Sequence, residues 1–251
     1  MKISLSIPIA AVVTFLACTS PAVADVTPLP LVGSNQEGGA ARVEMEQTGA
    51  REIRVIVTNT STGLPDDVED PAADQILTSV SFDLGPGYDI VGGSARIGPG
   101  GASVNFDRIA GDLGPGDDVT GEWGFGNSGQ SINLLPDFVS AMRSHTTPFG
   151  GENLDGPQNL DGPQGGLYTV PPLADPGGLG GVEGPVEFTL TLNRDWDIGT
   201  HFPGAAIVEF GSDIRFLQLA PVPEPKQALL LVCAALLIFA GRRRPRRAPA
   251  K

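Results

Sequence analysis

The sequence predicts an all-β fold: one jelly-roll-like β-sandwich with a short helix and a Gly/Pro-rich loop region. An N-terminal signal peptide precedes it and a single C-terminal transmembrane helix follows. Three observations predict this. Short segments alternate apolar and polar residues, Gly and Pro punctuate them, and long uninterrupted apolar runs are confined to the two ends.

Residues 1–24 read as the signal peptide. Lys2 precedes an apolar stretch from Ile7 to Ala17, and Ala22-Val23-Ala24 is a small-x-small cleavage site before Asp25. Leu16-Ala17-Cys18 is a rival, a lipoprotein box with Phe15 where such a box prefers Leu. The exported domain is expected over 25–220. Its first hairpin pairs Arg42 to Thr48 with Arg51 to Thr58 across Gly49-Ala50, with Ile53, Val55 and Val57 on one face. Ile76 to Leu84 is the next strand. Shorter ones are expected at Ala95 to Ile97, Ala102 to Phe106 and Gly121 to Phe125.

Pro136 to Ser144 is the expected helix, because Leu135, Phe138, Val139 and Met142 share a helical face and Pro136 suits a first turn. Residues 148–185 hold 18 Gly or Pro among 38, too many for long strands. Val186 to Asn193 alternates throughout, with Val186, Phe188, Leu190 and Leu192 on one face. Ala206 to Phe210 and Ile214 to Leu219 complete the set, and Pro221 follows directly.

Charge is unevenly placed. All 29 Asp and Glu lie between Asp25 and Glu224, where they meet only 8 Arg and no Lys, a net charge of −21. Such a body repels nucleic acid, and no nucleic-acid role is expected. Both cysteines, Cys18 and Cys233, fall in the apolar ends, so the body has no disulfide, thiol nucleophile or thiolate metal site.

Ala228 to Gly241 is 14 residues without a polar side chain. A helix of that length reaches ~21 Å against a ~30 Å hydrocarbon layer. It is apolar all round, follows a Pro-rich break, and lies between Lys226 and Arg242, Arg243, Arg244, Arg246 and Arg247. Long basic side chains let a short helix span, and the arginines place residues 242–251 in the cytoplasm with the body outside.

The tail, residues 221–251, resembles the PEP-CTERM sorting signal of Gram-negative bacteria: Val222-Pro223-Glu224-Pro225, a short apolar helix and a terminal Arg cluster. The resemblance implies signal peptidase and an exosortase as processing enzymes, transient residence in the inner membrane, and a final place at the cell surface or outside the cell. It also implies a link to exopolysaccharide and biofilm. Thr58-Asn59-Thr60-Ser61, Val80-Ser81-Phe82-Asp83-Leu84 and the LDGPQ loop resemble the XDD-type exosortase-dependent surface proteins. That second resemblance implies a β-sandwich and carries over no catalytic residue.

Asn153 to Gln164 is a tandem NLDGPQ repeat. Asn153, Asp155, Asn159 and Asp161 are candidate Ca2+ ligands, since oxygen-rich loops suit that hard cation. The alternative is a surface loop pinned by Leu154, Leu160 and Leu167. Asp66-Asp67-Val68-Glu69-Asp70 and Asp117-Asp118 read as solvated loops, with Ca2+ as the alternative. Otherwise no cofactor is expected.

Chemistry has little to stand on. His145 and His201 lack a metalloprotease spacing, no G-x-S-x-G elbow occurs, and Gly92-Gly93-Ser94 and Gly126-Asn127-Ser128-Gly129 read as turns. Trp123, Trp196, Tyr88 and Tyr168 would serve a sugar only if two were exposed together. The chain is therefore expected to be a non-enzymatic surface or matrix protein. The alternatives are a Ca2+- or carbohydrate-binding module and a secreted hydrolase.

Overall fold

Alternation along the sequence becomes alternation of inside and outside in strands β2 (Ala40–Gly49), β3 (Glu52–Asn59) and β12 (Val186–Leu192). The computed structural model describes residues 29–34, 38–62, 75–104, 113–127, 134–142, 146–150, 165–173, 181–201, 204–211 and 215–222. Within them, Met45, Val55 and Phe188 line up across β2, β3 and β12, next to Ala95 of β5 (Ile90–Ile97), and all four are fully buried. The β2–β3 connection turns at Ala50-Arg51, one residue later than expected, because a bulge between Gln47 and Gly49 takes up the extra residue.

The remaining strands are β1 (Leu29–Ser34), β4 (Leu77–Phe82), β6 (Ala102–Val104), β7 (Gly124–Gly126), β8 (Asp137–Ser140), β9 (Thr147–Pro148), β10 (Leu167–Tyr168), β11 (Gly181–Glu183), β13 (Ala206–Phe210) and β14 (Arg215–Pro221). They join in the order β5-β12-β3-β2-β1-β14-β13-β4-β10-β11-β6, with β8 also on β4, β7 on β8, and β9 on β7. Pairing is antiparallel except between β10 and β11. The all-β expectation holds. The described strands form one curled sheet, continuous through β1 and β14, whose halves share one apolar core. Trp123 closes that core by meeting Phe188 edge-on at 5.0 Å.

Three local expectations are corrected. Asp137 to Ser140, expected within a helix, is strand β8, bonded to β4 on one side and β7 on the other. All four of its residues are buried. A short segment apolar on both faces mimics a helical stripe, and nine residues hold a helix poorly by themselves. The helix that does form among the described residues is α1 (Ile198–His201). Gly121 belongs to a 3-10 turn over Thr120–Glu122, and the strand there starts only at Gly124. Gly92-Gly93-Ser94 is strand, not turn. A side chain on Gly93 would come within 2.8 Å of both Phe149 and Thr189 O, so glycine serves close packing there.

The open edge of β5 is covered along much of its length. Asn127 bonds both backbone groups of Ile90, Thr120 and Val119 bond Ala95, and Asp117 and Gly116 bond Ile97. A sheet whose edge is capped in this way offers little backbone to a second chain.

Candidate functional site

β1 lies between β2 and β14, so the first described strand pairs with the last. Leu31 faces Pro221, Val32 faces Ala220, and Val222 N–H donates to Pro30 O at 3.1 Å. Leu31 and Leu219 are fully buried, whereas Val32 and Val222 are 40% and 39% exposed. Gly33 permits the close approach. A Cβ there would lie 2.8 Å from Gln218 O and 2.9 Å from Leu219 Cδ2. Because the pair is antiparallel, the chain enters at Leu29 and leaves after Val222 from the same end. Val222 is the first residue of the Val222-Pro223-Glu224-Pro225 motif.

Pro223, Glu224 and Pro225 lie outside the described residues, as do Ala24, Asp25, Arg242, Arg243, Arg244, Arg246 and Arg247. So do the candidate Ca2+ ligands Asn153, Asp155, Asn159 and Asp161, the acidic run from Asp66 to Asp70, and His145. Among the described residues no helix is long and apolar enough to cross a membrane, and residues 228–241 are not among them. Nor do the described residues hold three or more His, Cys, Asp or Glu placed to share a metal ion.

Asp117 and Asp118 are turn-formers: Asp117 Oδ2 accepts from Gly114 N–H and Asp118 Oδ1 from Thr120 N–H, each at 2.8 Å. Trp123, Trp196 and Tyr168 are buried, which removes a sugar platform built from two exposed members of the aromatic set. Trp196 instead ties the 83–89 loop by donating from Nε1 to Leu84 O at 3.2 Å. Tyr88, half-buried, has the Arg194 guanidinium 4.0 Å over its ring and the His201 ring 5.0 Å away. Arg194 also donates to Pro86 O, so this cluster clamps two loops together.

Three sets of polar groups are buried in roles that the sequence did not mark. Asn59 donates to Gln75 O and Leu167 O at 2.7 and 2.9 Å and accepts from Ser61 N–H, stitching the end of β3 to the starts of β4 and β10. Glu209, Ser79 and Ser140 stand side by side across β13, β4 and β8. Ser79 donates to Glu209 Oε2 at 2.6 Å, so its one hydrogen is used and Ser140 must donate to it across 2.7 Å. Met142 N–H in turn donates to Ser140. Asp137 is 2% exposed and accepts from Leu84 N–H at 3.0 Å. Burial pushes its pKa up from 3.8 to about 6; the Leu84 bond opposes this, and repulsion from Asp83 and Asp89 adds to it.

Comparison with protein families, with curated proteins and with solved structures finds no match to this chain.

Proposed function

We propose that the chain is an exported, exosortase-processed protein of a Gram-negative envelope. Its tail holds it briefly in the inner membrane, and removal of the tail leaves the body at the cell surface or in the extracellular matrix. There it serves envelope, biofilm or exopolysaccharide association without catalysis. The observation that carries this reading is the tail itself: Val222-Pro223-Glu224-Pro225, an apolar run of 14 residues and five arginines.

The body is compatible with such handling. Its first and last described strands pair, so a signal peptide and a tail attached there would leave from one place on the sheet. From Val222 to Ala228 the extended chain spans at most ~20 Å, which keeps the β1–β14 end close to any bilayer that holds the tail. The body's 29 acids against 8 arginines favour a soluble state beside an anionic surface.

Mass spectrometry of the extracellular product, from cells with and without the sorting protease, tests this. The expected product lacks residues 242–251 only when the protease is present. An extracellular product that retains Arg242 to Lys251 in protease-proficient cells defeats the reading.

A further inference from the structure

We infer that β1 sets the limit to which C-terminal processing can reach: pairing with β1 withholds the chain through Val222, and cleavage is confined to the bonds beyond it. This deepens the proposed removal of the tail and rests on it for its biological setting, but its physical basis lies in the described strands.

A protease takes its substrate as an unpaired extended segment, and cutting concentrates where backbone is exposed and unbonded. β14 offers no such segment. β13 pairs it from Arg215 to Leu219, and β1 takes over at Ala220 and Pro221. Val222 is held by its N–H bond to Pro30 O. Leu217 and Leu219 are buried, so freeing this strand means opening the join between the halves of the sheet. Pro223 and Pro225 have no amide hydrogen with which to continue a ladder. The motif that reads as an address therefore begins at the last described residue that β1 holds.

A coupling between the two termini follows. The shield of the C-terminal boundary is supplied by the N-terminal strand, through Pro30, Leu31, Val32 and Gly33. Damage to β1 should move the C-terminal cut upstream, although β1 and β14 lie at opposite ends of the sequence.

The test is limited proteolysis of the purified full chain in detergent with a protease of broad specificity, the products being weighed by mass spectrometry. Wild-type product is expected to end at Val222 or later, with no early cut within residues 215–221. Leu31→Ala, which empties a fully buried site beside Pro221, should speed cutting within 215–221 roughly tenfold or more, since such cutting follows the population of the opened form. Its rate beyond Val222 should not change. Gly33→Val should act more strongly through its clash with Gln218 O and Leu219, while Gly92→Val, with open space around it, should have no effect on the cut site. If Gly33→Val does not fold, Leu31→Ala still decides. Early wild-type cuts within 215–221, or cuts there that ignore both β1 variants, overturn the inference. No sorting protease takes part, so an extracellular product with its tail intact would defeat the proposed function and leave this result standing.

Discussion

The β5–β12–β3–β2 half of the sheet, with strands of 7 to 10 residues, and the β13–β4–β8 region, with strands of 4 to 6, treat polar residues in opposite ways. In the first, burial alternates along β2, β3 and β12, and outward residues meet water or one another: Arg54 bridges Glu46 at 3.1 Å and Glu187 at 2.8 Å. In the second, all six residues of β4 and all four of β8 are buried, including Ser79, Ser81, Asp137 and Ser140. Polar groups that cannot reach water must find protein partners, and here the register supplies them by setting Glu209, Ser79 and Ser140 in one row. The same side-chain chemistry is thus decoration on a wet face and structure on a covered one.

Removing one hydroxyl from each region gives the largest contrast. Ser79→Ala takes the donor from Glu209 Oε2 and the acceptor from Ser140, both inside the protein. Leaving two buried groups short of a partner should cost roughly 2–4 kcal/mol. Thr191→Val deletes a hydroxyl on the exposed side of β12 and keeps the β-branched shape; its effect should stay within about 0.5 kcal/mol. Urea unfolding of both variants measures the difference. Equal effects would abolish the distinction.

Asp137 sharpens the comparison through pH. Its carboxyl holds a proton in the folded state up to about pH 6, whereas the unfolded chain releases it near 3.8. Between those values the folded form binds more proton, so the stability this group contributes is full below the lower value. It is lost as pH rises to about 6 and changes no further above that. A shift of this size corresponds to on the order of 2–3 kcal/mol. Other carboxylates impose their own slopes, so the quantity to measure is the wild-type stability minus that of Asp137→Asn from pH 4 to 7. It should fall across that window. A flat difference would mean that burial of β8 leaves its carboxyl unperturbed.

The same contrast decides what could be read from the sequence. The β2, β3 and β12 strands were legible because one face is wet and polarity reports it; Ala206–Phe210 was legible for its bounds. β8 was misread because Phe138 and Val139 are both buried on opposite faces, so period 2 vanished and a helical spacing took its place. β1 gave no pattern, since Pro30 and Gly33 interrupt it, although both residues suit its pairing with β14. The two- and three-residue strands β10 and β11 are too short to carry any period. At the candidate site, Val222 was visible through its motif. Its bond to Pro30 was not, because nothing local marks the pairing of two segments so far apart in the sequence. Asn59, Glu209 and Asp137 were hidden for a related reason: a lone polar residue looks solvated until the fold shows what covers it.

Among the charged groups, the smallest effect belongs to the ion pairs on the wet face of β2, β3 and β12. Arg54 is bonded by two carboxylates, chiefly Glu187, which pushes its already high pKa further up. Yet its Nε is buried without a hydrogen-bond partner, a desolvation cost that offsets part of the gain. Its side chain is also one-third exposed, so solvent and salt weaken both pairs. Replacing it by Met, which keeps most of the apolar stem over the strand, should cost no more than about 1 kcal/mol. Raising NaCl from 0.05 to about 1 M, where the screening length falls to about 3 Å, should shrink that cost further. Denaturant midpoints of wild type and Arg54→Met at both salt concentrations measure this. A loss above about 2 kcal/mol that persists in high salt would mean that this face is covered as β4 is, and that the two halves of the sheet differ in sequence pattern but not in environment.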